Sequence, residues 1–344
     1  MGLISALFHP KKLPMFVVTL DALGTLYNFR QPVSVQYLQV AESCGLKVKV
    51  DLKQLDRSFR SSFKHYNTVH PNYGKKTLGS PEEWWTKVVN QVFGDLVEGG
   101  ETALPKELGS ALYKHFSSSA AYEAFADVKP FLQSMAALKK QFADPEGPLV
   151  ATGIVTNSDP RVREVLQDMG FRVGPSSIPD FESVMKTHME SLRDPSSNVV
   201  FYSPFRDYYN PQNDFDFLCT SYDADAEKPQ ERIWMEAMRL VFPMPISRSE
   251  QHCEPASSIT DAFKKVSSAI GHQSDISRML RIHIGDEFSK DYVGAVKAGW
   301  EALHLDRARN SSNLGSDVKV VQSLDEAAMV VNLMAREYFG EGEA

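Results

Sequence analysis

Five polar residues follow apolar, strand-like segments of the sequence, and their types suit nucleophilic chemistry on an anionic substrate. Asp21 directly follows MFVVTL and could act as a carboxylate nucleophile, while Thr156 ends LVATGIVT and could hold a phosphate oxygen. Lys228 comes shortly after a third such run and could offset negative charge in a transition state. Asp286 and Asp291 follow MLRIHIG, and with Asp21 they form an oxygen-only ligand set suited to Mg²⁺.

Two neighbours of these residues are predicted to contact the substrate. Gly24 in DALGTLY begins a Gly-Thr turn whose backbone N–H groups could approach an anion, and Asn157 directly follows Thr156. Each also has a structural explanation when taken alone: the aspartates and the loop after Thr156 as turn or helix-capping features, and Lys228 as an ordinary surface residue. Their order at successive strand ends is harder to explain by chance, so we expect the side chains to converge on one pocket.

The elements that would position these residues alternate along the chain. Five apolar or β-branched runs predict strands, and helical periodicity lies between them, which favours a parallel α/β sheet with right-handed crossovers. The predicted strands are 15–20, 149–156, 215–221, 279–285 and 301–305. Because ligands bind at the carboxyl ends of such strands, the polar residues stand where chemistry is expected.

Between the first two strands the pattern is helical, which predicts an inserted helical cap at residues 31–124. Residues 15–30 and 125–340 would then form the α/β core. Two polar, Pro- and Ser-rich stretches, 172–213 and 245–278, predict long surface insertions in that core. Trp84 and Trp85 are interpreted as packing residues of a cap helix.

Composition narrows the function classes. The 344 residues are 24% charged with a formal net charge of -7, and no block of five Lys or Arg indicates nucleic-acid binding. Cys44, Cys219 and Cys253 are widely spaced, so the pattern favours neither a disulfide framework nor a zinc site. With no apolar run of 18 residues, a membrane role is not expected. We expect a cytoplasmic or nuclear protein, with organellar targeting left open.

The ordered set Asp21, Thr156, Lys228 and Asp286/Asp291 resembles the four motifs of the haloacid dehalogenase-like (HAD) hydrolase superfamily. The strings HPNYGKKTLGSPEEWWTKVV, LYKHFSSSAAYEAF, VTNSDPRV, FDFLCTSYDADAEKPQERIWMEA and HIGDEFSKDYVGA are similar to the HAD-like hydrolase domain-containing protein 3 group. This resemblance implies a Rossmann-like core with a helical cap, an aspartate nucleophile and a Mg²⁺ site.

One position departs from the phosphatases of this superfamily. They have a second Asp two residues after the nucleophile, which protonates the leaving group, whereas this chain has Leu23. A leucine carries no proton, so general acid–base help at this position is absent.

Three functions therefore stay open. One is a Mg²⁺-dependent hydrolase of small phosphorylated substrates with good leaving groups. Another is an inactive domain that binds a ligand, or a protein partner through its insertions. The third is a dehalogenase-type C–X hydrolase, against which the metal-ligand carboxylates argue, because superfamily dehalogenases work without metal.

Overall fold

The computed structural model describes residues 15–47, 50–142, 149–177, 212–241, 279–310 and 314–340. Of the predicted insertions, residues 178–211 of the first and all of the second lie outside the described residues.

The strands of the described chain form one large sheet and one small one. In chain order they are β1 (Met15–Leu20), β2 (Tyr27–Phe29), β3 (Tyr122–Ala124), β4 (Leu149–Thr156), β5 (Phe217–Thr220), β6 (Met279–Gly285), β7 (Glu301–Leu305) and β8 (Val320–Val321). The large sheet has the order β5-β4-β1-β6-β7-β8, and all neighbours are parallel. β2 and β3 pair antiparallel. The fold is therefore α/β with a parallel sheet, as predicted.

Helices connect these strands. In chain order the α-helices of the described chain are α1 (Val33–Ser43), α2 (Leu52–Val69), α3 (Pro81–Gly94), α4 (Leu108–His115), α5 (Val128–Gln141), α6 (Arg161–Asp168), α7 (Ser221–Ala224), α8 (Glu231–Val241), α9 (Val293–Lys297) and α10 (Leu324–Phe339). A 3₁₀ turn covers Gly100–Ala103, and a π-helical turn covers Phe288–Tyr292. Helices α1 to α4 fall inside the predicted cap, although the domain division itself stays a prediction.

Both faces of the sheet are covered, which explains why its strands are apolar throughout. Phe16 and Val18 of β1 pack with α5, α6 and α10 on one face, whereas Met15 and Val17 pack with α8 and α9 on the other. A separate apolar cluster, centred on the fully buried Trp84, holds α1 to α4 together. The helical segment thus has a core of its own.

Four predicted strands have the bounds that the sequence indicated, namely β1, β4, β6 and β7. The remaining strand, β5, is shorter than the predicted strand 215–221. Phe215 instead forms an isolated bridge with Val173, and the Thr220 hydroxyl accepts a hydrogen bond from Asp223 N at 3.0 Å. That bond caps α7, so the chain turns into a helix where the strand was expected to continue.

Within the described ranges, every helix is too short or too polar to cross a lipid bilayer.

Candidate active site

Asp21 is the first residue after β1, at the centre of the sheet. Its backbone N–H donates to Ile284 O at 2.9 Å, which ties it to β6, and its side chain is nearly buried with 8% of the residue exposed. Leu20 pairs with Ile154 on one side and Ile284 on the other. The carboxyl ends of β4 and β6 therefore flank Asp21, which brings Thr156 and Asp286 to the same edge.

Gly24 makes room for Asp286. Its φ of +86° lies in the left-handed region, and a Cβ built on it would lie 2.3 Å from an Asp286 carboxylate oxygen, so only glycine fits. The Gly24 N–H donates to Tyr27 O at 2.8 Å, and the Thr25 hydroxyl donates to Asp286 Oδ1 at 3.1 Å. Gly24 thus shapes the turn, while its predicted contact with substrate stays a prediction.

Lys228 joins two of the carboxylates. Its buried Nζ donates to Asp21 Oδ1 at 2.7 Å, to Asp291 Oδ1 at 2.6 Å and to Val155 O at 2.9 Å. Burial alone would lower the pKa of Lys228, but the two carboxylates more than reverse this and hold its pKa above the ordinary value. Lys228 is therefore a fixed positive charge beside the predicted nucleophile.

Residues at the end of β4 interact with Lys228 and Asp21. The Asn157 amide forms two hydrogen bonds with the backbone of Lys228: its Oδ1 accepts from Lys228 N at 2.7 Å, and its Nδ2 donates to Lys228 O at 3.0 Å. The buried Thr156 hydroxyl acts to lower the pKa of Asp21, more weakly than Lys228 does and against the larger effect of burial. Asn157 therefore orients Lys228, and its predicted contact with substrate stays a prediction.

Asp291 is held on both oxygens. It lies in the π-helical turn, where Oδ2 accepts from Glu287 N at 2.8 Å, and Oδ1 faces both Lys228 and His283 Nε2, the latter at 3.3 Å. Burial alone would raise the pKa of Asp291, but Lys228 and His283 outweigh it and the pKa is lowered. A Cβ on Gly285 would approach the Asp291 side chain to 2.3 Å, so this glycine is also required.

The three carboxylates form a site with excess negative charge. Each of Asp21, Asp286 and Asp291 offers an oxygen within 4.8 Å of the others. Burial, followed by repulsion from Asp21 and Asp291, raises the pKa of Asp286 to about 6. Burial also raises the pKa of Asp21, against the opposing effect of Lys228. One ammonium for three carboxylates leaves two negative charges uncompensated, and this donor set fits a divalent cation that prefers oxygen.

Leu23 stands at the edge of this site without a polar function. It forms an isolated backbone bridge with Tyr27, and 41% of the residue is exposed. Leu23 is thus an exposed apolar side chain two residues after Asp21. It leaves this position, just before the turn at Gly24, without a proton donor.

A second charged cluster, which the sequence analysis missed, lies where the helical segment meets the sheet. Asp159 is buried and accepts from Arg161 Nη2 at 2.7 Å and from Trp85 Nε1 at 2.7 Å. The Arg161 guanidinium lies over the rings of Trp85 and Tyr113, 4.5 and 4.7 Å from their centroids. Trp85 is therefore more than a packing residue, since it hydrogen-bonds the loop after Thr156.

The loop before α3 makes a second contact with the core. Lys75 Nζ donates to the carbonyl oxygens of Tyr222 and Asp223, and Lys76 Nζ lies 2.5 Å from Asp225 Oδ2. These residues precede Lys228 in the chain. The helical segment is thus attached to the loops after β4 and β5, on one side of β1.

The chain is similar to several known proteins, although no protein-family model matches it. An uncharacterized hydrolase of Schizosaccharomyces pombe is 30% identical over 294 residues, which cover 86% of this chain and 92% of that protein. The haloacid dehalogenase-like hydrolase domain-containing protein 3 of Danio rerio is 24% identical over 318 residues, covering 92% and 96% of the two chains. Among solved structures, a 2-haloacid dehalogenase from Pseudomonas syringae has a TM-score of 0.48 and 14% identity, covering 93% of this chain and 99% of that chain. With relatives of this similarity along most of its length, the chain belongs to the haloacid dehalogenase-like hydrolase superfamily.

Proposed function

We propose that the protein is a Mg²⁺-dependent hydrolase that transfers the phosphoryl group of a small phosphorylated substrate to water, by way of Asp21. The observation that carries this proposal is the Lys228 ammonium 2.7 Å from Asp21, inside a group of three carboxylates within 4.8 Å of one another. This combination provides a nucleophile, a cation beside it and a place for a divalent ion.

In the first step the Asp21 carboxylate attacks phosphorus. The bond between phosphorus and the leaving group breaks, the leaving group departs with the electron pair, and an aspartyl phosphate forms on Asp21. Lys228 keeps the attacking carboxylate in place through its 2.7 Å hydrogen bond, and the Asn157 amide keeps Lys228 in place. The Thr156 hydroxyl, at the end of the neighbouring strand, is positioned to hold a phosphoryl oxygen.

In the second step water attacks the same phosphorus. The bond to the Asp21 oxygen breaks, which regenerates the carboxylate and yields inorganic phosphate and a proton. Asp21, Asp286 and Asp291 would hold Mg²⁺, which when bound supplies positive charge next to the phosphoryl oxygens. Asp286 and Asp291 remain unmodified throughout.

Leu23 restricts the substrates. An alkoxide leaving group needs a proton as it departs, and a general acid typically contributes ~10²–10⁴-fold to such a step. A carboxylate leaving group, as in an acyl phosphate, departs without one. We therefore propose acyl phosphates and similarly activated phosphates as the substrate class.

Leu23 also favours one alternative, a domain that binds a phosphorylated ligand or a protein partner without turnover. The same Lys228 and carboxylates would hold a phosphate and a metal ion, but no group would assist the attacking water. Vanadate binding with Mg²⁺, in the absence of any turnover, would support this alternative. A dehalogenase-type hydrolase is less consistent with the uncompensated negative charge of the carboxylate site.

The test is steady-state turnover of acetyl phosphate and p-nitrophenyl phosphate, with Mg²⁺ or with a chelator. The matched control is Asp21→Asn, which keeps the size of the side chain and an acceptor for Lys228 but removes the nucleophile. We expect turnover that requires Mg²⁺ and is lost in the variant. Turnover that is equal in Asp21→Asn would contradict the role of Asp21, and release of halide from a 2-haloacid without metal would favour the dehalogenase.

A further inference from the structure

A buried histidine lies directly behind the carboxylate site. His283 is in β6, opposite Thr19 of β1, and none of its surface is exposed. Its ring packs edge-on against Trp234, with centroids 4.8 Å apart. The proposed roles of Asp21 and Lys228 do not explain why a polar ring lies in this apolar layer.

Both ring nitrogens of His283 have partners. Nε2 lies 3.3 Å from Asp291 Oδ1, and Nδ1 lies 2.9 Å from Thr19 Oγ1. A carboxylate only accepts hydrogen bonds, so Nε2 carries the hydrogen and donates to Asp291. The Thr19 hydroxyl, which contacts Nδ1, also donates to Ile282 O at 3.3 Å, so it is itself held in place by β6. Thr19 thereby fixes the orientation of the ring.

The histidine determines which oxygen of Asp291 is free. Oδ1 receives Lys228 Nζ at 2.6 Å and His283 Nε2 at 3.3 Å, so both of its lone pairs are engaged. Oδ2 receives only Glu287 N, at 2.8 Å, and keeps one lone pair. The carboxylate thus has one remaining acceptor direction, and that direction is on Oδ2.

We infer that His283, held by Thr19, is a positioning residue that turns Asp291 so that Oδ2 is presented to the metal ion. This inference rests on the proposed function, because it assigns His283 to the Mg²⁺ site of that reaction. Without the ring donor, Oδ1 would have only Lys228, and the carboxylate could rotate and trade its oxygens between the ammonium and the metal. Groups that orient metal ligands in this way typically change metal affinity by ~10–100-fold.

Two matched variants separate positioning from packing. His283→Phe keeps an aromatic ring against Trp234 but removes the donor, whereas His283→Gln gives up the ring and carries an amide N–H close to the position of Nε2. Isothermal titration of the full-length protein with Mg²⁺ alone measures affinity without turnover. We expect His283→Phe to weaken Mg²⁺ binding by about 10-fold or more, and His283→Gln to restore most of it.

The outcomes distinguish this inference from the proposed function. If the wild-type protein binds no Mg²⁺, both fail. If it binds Mg²⁺ and His283→Phe binds equally well, or if both variants lose affinity to the same extent, only the role of His283 is overturned. Thr19→Val serves if His283→Phe does not fold, since it removes only the hydroxyl that orients the ring. A several-fold loss of Mg²⁺ affinity in Thr19→Val supports the inference, and unchanged affinity contradicts it.

Discussion

Replacing Leu23 by Asp should convert the protein into a more general phosphatase. The position is two residues after Asp21 and 41% of Leu23 is exposed, so the new side chain would be partly exposed to solvent rather than buried in the core. A surface substitution of this kind usually changes the free energy of unfolding by no more than ~0.5 kcal/mol. The variant should therefore fold, and its kinetics should report on chemistry.

The expected gain depends on the leaving group. With glycerol phosphate, whose alkoxide must be protonated, a general acid should raise kcat by ~10²–10⁴-fold, which corresponds to about 2.7–5.5 kcal/mol of transition-state stabilisation. With acetyl phosphate the rate should change little, because acetate departs unprotonated. Burial, followed by repulsion from Asp21 and Asp291, raises the pKa of Asp286 to about 6, and repulsion from nearby carboxylates would also raise the pKa of the new carboxyl.

The assay is kcat for both substrates at saturating Mg²⁺, with Leu23→Asn as the control that is polar and similar in size but donates no titratable proton. A gain confined to glycerol phosphate and to the Asp variant is the predicted result. No gain, or an equal gain in Leu23→Asn, would refute the view that a missing acid is what limits this site.

Other perturbations test separate parts of the account. The pKa of Asp286 in the folded protein, about 6, lies above its ordinary 3.8, so its contribution to the stability of the metal-free protein is present below about pH 4 and lost as pH rises through 6. Asp286→Asn should abolish this dependence, as measured by thermal unfolding against pH in chelator. The same variant should abolish the rise in Tm with Mg²⁺. Trp85→Phe keeps an aromatic ring but removes the hydrogen bond to Asp159, so urea unfolding should show a loss of roughly 1.5–3 kcal/mol, and an unchanged midpoint would contradict that contact. Ser80 accepts from Glu83 N at the start of α3, so Ser80→Ala should cost about 1 kcal/mol while Ser80→Asp should not.

The sheet and the carboxylate site could be predicted because their signals are local. A buried parallel strand needs a continuous apolar run, and β1, β4, β6 and β7 each have one with a polar residue at the end. Since parallel strands in one sheet end at one edge, the order of Asp21, Thr156 and Asp286 along the chain was enough to predict their convergence. The cap at Ser80 likewise depends only on residues three positions apart.

The remaining features depend on contacts between distant residues. Trp85 and Asp159 are 74 positions apart, and nothing in either neighbourhood indicates that an indole N–H meets that carboxylate. His283 lies in an apolar strand, and its role emerges only when Thr19 pairs with it across the sheet. The strands β2, β3 and β8 have two or three residues each, too few for a periodic pattern.

The central claim is that Asp21 accepts the phosphoryl group, and mass measurement of the intact protein tests it most directly. The protein would be mixed with acetyl phosphate and Mg²⁺, quenched in acid within one turnover and weighed beside Asp21→Asn treated in the same way. The account predicts that the wild-type protein gains the mass of one phosphoryl group, located on the peptide that contains Asp21, and that the variant gains none. Turnover of acetyl phosphate with no phosphorylated protein at any quench time, or equal labelling of the variant, would contradict it.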